Sequence, residues 1–203
     1  MSLTVAEGAS SSITPLESGT YIASCYMLVD LGEQYSEKFA KWSPQVLIGW
    51  EICGETIEIN GEEHPRTLSK TFTASLGENS NLRKSLKSWR GRDFTADELK
   101  GFNLTNIIGA PCLLNVVSEE KNGKTYSNIM GIVPLSKGMG RPQKTLANVI
   151  YDIEQNDIAD VDKLPDWIAK KVRESRTFQE RASGDSGTAT LHEIGDEDGE
   201  LPF

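Results

Sequence analysis

Gln45-Val46-Leu47-Ile48-Gly49-Trp50-Glu51-Ile52-Cys53 places Val46, Ile48, Trp50 and Ile52 on one parity and Leu47, Gly49 and Glu51 on the other. A period of two carried by β-branched and aromatic residues predicts a strand with one face in a core. Upstream, Tyr21 to Asp30 is β-rich and apolar on both parities, which predicts a long strand buried along much of its length. Leu31 to Pro44 carries Gly32, Tyr35, Phe39, Lys41 and Trp42 and reads as a polar and aromatic connection between the two strands. Downstream, Thr56 to Asn60, Gly61 and the stretch from Arg66 to Leu76 read as a hairpin, because Asn-Gly supplies the positive φ angles of a tight turn. Within it, Leu68-Ser69-Lys70-Thr71-Phe72-Thr73 alternates with the period of a strand.

A change of period comes next. Ser80 can cap a helix through about Trp89, with Leu82, Leu86 and Trp89 on one side and Gly91 to end it. Thr95-Ala96-Asp97-Glu98 has capping-box spacing for a further short turn. Gly109 to Val117 and Thr125 to Leu135 then read as two strands joined through Lys121-Asn122-Gly123-Lys124. Three consecutive strands, a helix and a closing hairpin are the element order of a five-stranded Greek-key barrel of the OB type. The expected class is therefore mainly β (α+β), with the helix between strands 3 and 4. Trp50 and Trp89 are assigned to the core.

The expected organisation is a loose N-terminal arm over 1–17, a barrel over 18–140, a helical extension over 141–181 and an acidic tail over 182–203. Pro15 marks where order should begin. Arg141 to Ala159 reads as a linker with a short helix, and Pro165 to Arg181 as a helix whose Trp167, Ile168, Val172 and Phe178 pack on the barrel or on a second copy of the chain. From Ala182 onward there are six acidic and no basic residues.

The net charge of −9 is unevenly distributed: residues 1–65 sum to −8, residues 66–144 to +7 and residues 145–203 to −8. A basic middle between acidic flanks is the asymmetry of a chain whose one face meets phosphate. No apolar run approaches the roughly 20 residues of a membrane span, and Met1 to Thr20 lack a basic patch followed by an apolar stretch. A cytoplasmic protein without a membrane partner is expected. Cys25, Cys53 and Cys112 are widely spaced among apolar residues and read as reduced, buried thiols. With only His64 and His192 available, a zinc site of usual spacing cannot be built, and no metal or other cofactor is expected.

Motifs for enzymes are incomplete. Gly123-Lys124-Thr125 matches the end of a phosphate-binding loop, but the first glycine of that motif would fall at Ser118, and the segment lies in a hairpin with no helix after it. Gly138-Met139-Gly140-Arg141 lacks the third glycine of a dinucleotide fingerprint. Acidic pairs such as Glu62-Glu63, or Asp160 with Asp162, leave a magnesium-dependent nuclease as one alternative. A barrel that binds only protein is another. The leading expectation is a binding protein, not an enzyme.

The chain closes on Asp196-Glu197-Asp198-Gly199-Glu200-Leu201-Pro202-Phe203. The carboxylates repel one another and bury nothing, so this stretch is expected to stay extended and solvated while Leu201, Pro202 and Phe203 enter a partner's apolar pocket. Acidity followed by Pro-Phe resembles the tail tip of bacterial single-stranded-DNA-binding proteins, with which those proteins recruit replication and repair enzymes. Together with Ser75-Leu76-Gly77-Glu78-Asn79-Ser80 leading into Trp89-Arg90-Gly91-Arg92, the chain resembles a phage-type single-stranded-DNA-binding protein over roughly residues 18–140 and the tip.

That resemblance implies sequence-independent binding of single-stranded DNA in a bacterial or phage-infected cytoplasm, with replication and recombination proteins as tail partners; a homo-oligomer such as a dimer is a separate expectation, and the sequence leaves the oligomeric state open. Such binding needs cations along phosphates and flat rings on which bases stack. The expected phosphate contacts are Arg66, Lys70, Lys84, Lys87, Arg90, Arg92, Lys121 and Lys124. The expected stacking residues are Tyr35, Trp42, Phe72 and Tyr126. Asp196, Glu197, Asp198, Glu200, Leu201, Pro202 and Phe203 form the expected partner-binding tail.

Overall fold

The structure is a computed structural model that describes residues 14–185, so the tail tip and the first thirteen residues of the arm lie outside the described residues. Its elements are β1 (Gly19–Ser36), β2 (Lys41–Ile59), β3 (Glu62–Thr73), α1 (Asn81–Arg90), α2 (Ala96–Lys100), β4 (Pro111–Lys121), β5 (Lys124–Val133), β6 (Val149–Tyr151), α3 (Asp166–Arg173) and α4 (Arg176–Asp185). The fold is mainly β. An antiparallel sheet in the order β3-β2-β1-β4-β5, with β6 pairing β1 off this path, curls into a half-barrel.

Local sequence explains most boundaries. Asn60-Gly61 and Asn122-Gly123 both take positive φ, at 55° and 85° and at 55° and 70°, and turn the two hairpins as the Asn-Gly pairs require. Ser80 caps α1 by accepting from the Arg83 N–H, and Gly91 ends it in the left-handed region at φ 67°. Thr95 and Glu98 form the expected capping box on α2. The two runs 45–53 and 56–60, separated by Gly54, become one strand, because β2 continues through a bulge between Glu51 and Thr56 and keeps pairing with β3.

The described residues separate into two compact units: residues 14–29 with 45–150, and residues 30–44 with 151–185. This differs from a boundary at 140, for a physical reason found in the second unit. There the Glu33 N–H donates to the Thr177 hydroxyl at 3.0 Å, and Gln34 donates to the Lys171 carbonyl at 2.9 Å. The connection 31–44 is thus tied to the C-terminal helices and is itself mostly strand.

In the first unit the barrel core is built from the inward parity of β2, Val46 to Ile52, with Phe72, Leu114, Val116 and the buried face of α1. Trp50 and Trp89 meet at 5.9 Å between ring centres, and the Trp89 indole donates to the Pro111 carbonyl at 3.0 Å. α1 packs against both β3 and β5. The two ends of the sheet path thereby come together, and the Lys70 ammonium bridges them by donating to the Ile129 carbonyl at 2.7 Å.

The outward parity of β2 is not solvated. Glu51 is 2% exposed, because the segment after Arg141 lies over it: both Thr145 and Leu146 donate backbone N–H groups to its carboxylate. No α-helix forms over 141–159. The Glu51 carboxylate takes up two backbone N–H groups of this segment, and the chain then enters the short β6 and a 3₁₀ segment, Ile158–Lys163.

In the second unit a single helix over 165–181 is replaced by two, α3 and α4. Ser175 is the reason. Its buried hydroxyl accepts from the Phe178 N–H at 3.2 Å and donates to the Val172 carbonyl at 2.6 Å, ending one helix and capping the next. Ile168, Val172 and Phe178 are buried as expected, but Trp167 is exposed. Gly32 sits at φ 65° where a Cβ would meet the Ser175 Oγ at 2.6 Å and the Ile153 Cδ1 at 2.9 Å. Gly32→Ala combines left-handed strain with overpacking and is expected to cost about 2 kcal/mol, read as a lowered urea midpoint with unchanged slope.

Candidate nucleic-acid interface

The second unit carries an aromatic cluster where β1 turns into β2. The turn is a 3₁₀ segment, Glu37–Phe39, closed by Ala40 in the left-handed conformation. Tyr35 on β1, Phe39 in the turn and Trp42 on β2 are 52%, 65% and 42% exposed. The Tyr35 and Trp42 rings stand 5.4 Å apart, tilted by 55°. Cations lie on this surface as well: the Lys38 ammonium is 5.4 Å from the Phe39 ring centre, and the Arg176 guanidinium is 5.7 Å from that of Trp42. Arg176 is held by ion pairs to Glu33 and Glu180. Flat rings bordered by cations offer what unpaired bases and their phosphates require.

The first unit redistributes the remaining candidates. Phe72 is not a platform: it is 3% exposed, since it opposes Val46 across the β2–β3 ladder and so faces the core. Lys70 shares that parity. Its stem runs toward the core, its ammonium serves the Ile129 carbonyl and lies 5.6 Å from the Phe72 ring centre, and burial pushes its pKa down. Lys70 therefore acts as a latch at the β3–β5 seam.

Three further cations are matched by carboxylates. The Arg90 guanidinium lies between the Phe94 and Phe102 rings, at 4.5 and 5.0 Å, and pairs with Glu98. Arg92 also pairs with Glu98, at 2.8 Å, and Lys87 with Asp93 at 2.7 Å. The bond from Arg92 and the Thr95 N–H hold Glu98 down at about 2, and Lys87 with the Phe94 N–H holds Asp93 at about 2. Lys87, Arg90 and Arg92 thus brace the α1–α2 corner instead of standing as open phosphate contacts.

Lys84, Lys121 and Lys124 are exposed and make no ion pair among the described residues. Lys121 and Lys124 face each other across the Asn122-Gly123 turn, and Tyr126, 48% exposed, stands two residues further along β5. Arg66 borders a small cavity of about 150 Å³ with Pro15, Leu16 and Ile57. A larger open groove, about 660 Å³, runs between the end of β3 and the start of α1 and is lined by Gln45, Lys70, Phe72, Ser75, Asn79 and Asn81. The first turn of α1 holds no acidic residue, and the carboxylate that lines the groove beside its positive end is that of Glu78.

No family model matches this chain, and no curated protein matches it.

Among the described residues no group of three or more His, Cys, Asp or Glu side chains is placed to hold a metal ion. Asp160 pairs with Lys163 at 2.6 Å, and Glu62 and Glu63 stand exposed at the start of β3. The three cysteines are free. Burial pushes the Cys25 thiol up to about 12 and raises Cys112 further, which leaves both without thiolate character. No helix among the described residues is long and apolar enough to cross a membrane.

Arg176, Lys38 and Phe39 are the site residues missing from the expected set, although Phe39 stands in the aromatic connection already noted. Lys38 sits between Tyr35 and Phe39 and was readable as part of the same run. Arg176 had no local signal, because only the packing of α4 on the hairpin end brings it over Trp42.

Proposed function

We propose that this chain binds single-stranded DNA without sequence preference, as a non-enzymatic protein of OB-fold type, and that its acidic stretch recruits replication or recombination proteins. The observation that carries the reading is the exposed cluster of Tyr35, Phe39 and Trp42 with Lys38 and Arg176 among the rings. Large aromatics left in water next to cations bury no core surface, and base stacking gives them a use. Support for the OB reading comes from the curled five-strand path and from a helix between β3 and β4 that packs on both β3 and β5. OB-folds bind oligonucleotides through the strand 2–3 face and the connections between strands 1 and 2 and between strands 4 and 5. Those connections here carry Tyr35 and Trp42 in one case and Lys121, Lys124 and Tyr126 in the other. The carboxylates of Asp196, Glu197, Asp198 and Glu200 compete for cations, and Leu201, Pro202 and Phe203 dock on the partner.

A salt titration of fluorescence polarisation tests this. The full chain is expected to bind an unstructured oligonucleotide of about 30 nucleotides in preference to duplex, with log affinity falling against log salt by about 0.7 per phosphate neutralised. A chain lacking residues 195–203 is expected to bind more tightly at low salt. Absence of any association at low ionic strength sinks the proposal in favour of a protein-binding barrel, and magnesium-dependent loss of labelled strand would point instead to a nuclease.

A further inference from the structure

We infer that the single-strand path continues from the hairpin end onto α3, where Trp167 is a second stacking platform and Lys170 and Lys171 take the adjoining phosphates. This rests on the reading of the Tyr35–Trp42 cluster as a strand-binding surface and extends it within the same unit.

α3 buries Ile168, Ala169 and Val172 on one side. Helical spacing puts Trp167, Lys170 and Lys171 together on the opposite side, since residues three and four apart are surface neighbours. Trp167 is 55% exposed, the largest side chain on a helix only eight residues long. Folding has left this ring in water while three smaller neighbours are packed. Among the described residues the Lys170 ammonium is met only by an exposed contact of 3.9 Å with Glu174, which screening makes weak.

Hydrogen bonding ties this face to the hairpin end. The Gln34 amide donates to the Lys171 carbonyl at 2.9 Å and to the Leu31 carbonyl at 2.7 Å, so the backbone of α3 beside Lys171 is fixed next to the residue that precedes Tyr35. Arg176, three residues past the end of α3, pairs with Glu33 and lies over the Trp42 ring, and Trp42 stands against Tyr35. Within this unit α3 thus offers a ring and two cations, and the hairpin end two further rings and a third cation, the groups that bases and phosphates require.

A second copy of the chain fits this face poorly. In a two-fold interface the same patch meets itself, which would set Lys170 and Lys171 against their own copies around one tryptophan. Polyanion satisfies those charges.

Trp167→Ala and the double variant Lys170→Ala/Lys171→Ala, each made in the full chain, test the inference. Oligothymidines of about 8 and about 30 nucleotides serve as probes, within and beyond the site sizes of single OB modules. Trp167→Ala is expected to weaken binding of the longer probe about fivefold and that of the shorter one much less, with an unchanged circular dichroism spectrum. The lysine variant is expected to reduce the salt slope by about 1.4, the contribution of two phosphates. If Trp42→Ala weakens binding while both α3 variants bind and respond to salt as wild type does, α3 is off the path and this inference falls, leaving the hairpin site intact. If wild type binds neither probe, the parent reading fails first. A shift from dimer to monomer in Trp167→Ala, seen by light scattering with strand affinity unchanged, assigns the face to self-association and overturns the inference.

Discussion

Trp42→Ala weakens binding of the full chain to an oligothymidine of about 30 nucleotides by about tenfold or more. One stacked base is worth about 1–3 kcal/mol, and each 1.4 kcal/mol is a factor of about ten. The fold should survive the change. Trp42 is exposed, contributes nothing to the buried core, and its departure leaves Arg176 its ion pairs to Glu33 and Glu180. Urea midpoints close to wild type, measured beside fluorescence polarisation, separate lost contact from lost structure. Tyr35→Ala in the same background should add less than its own single effect, because the two rings touch at 5.4 Å and share the platform. Affinity within twofold of wild type in the double variant would remove the hairpin end from consideration.

Glu51→Ala is expected to destabilise the first unit by about 3–5 kcal/mol, the cost of removing one partner from a buried, charged hydrogen-bond set. The carboxylate accepts from the Thr145 N–H at 2.8 and 3.1 Å, from the Thr145 hydroxyl at 2.8 Å and from the Leu146 N–H at 2.7 Å. Truncation orphans all three donors beneath the segment that starts where Arg141 binds the Gly109 carbonyl at 2.9 Å. Amide exchange at Thr145 and Leu146 should rise more than at Trp50, which reports the core. Burial alone would raise the Glu51 pKa, but the N–H groups of Thr145 and Leu146, the Thr145 hydroxyl and Lys144 bring it below the ordinary 4.5. A carboxylate with a depressed folded pKa contributes stability above its unfolded value and loses it as pH falls through the folded one. Wild type should therefore shed stability on acidification below about pH 4.5, and Glu51→Gln should lack that component. Equal acid sensitivity in both proteins would contradict the assignment.

Different parts of this protein were legible to different degrees. Asn60-Gly61, Asn122-Gly123, Ser80 with Gly91, and Thr95 with Glu98 were readable because each acts within a short span of chain, through φ preference or a local cap. Trp50 and Trp89 were readable as core from parity and helical spacing. Phe72 was misplaced because Lys70, two residues away, suggested a polar face, whereas a long lysine can share a buried parity and lead its ammonium out at the sheet seam. Lys87, Arg90 and Arg92 looked like free cations because Asp93 and Glu98 follow them in a segment whose fold-back is invisible in one dimension. Trp167 looked like core because it is large and apolar, whereas Ile168, Ala169 and Val172 take the buried face of α3 and leave it on the opposite side.

The amino-acid sequence by itself determined a β-rich chain with two Asn-Gly hairpins, a capped helix between strands 3 and 4, a cationic middle and an acidic end. These come from backbone preferences, period and composition, all of which act over short distances along the chain. Only the tertiary structure decided which rings remain in water, which cations are already neutralised, that Glu51 anchors residues 145 and 146, and that Arg176 lies over Trp42. Each of those depends on groups far apart in sequence, whose meeting is set by packing and by the requirement that buried charge find a partner.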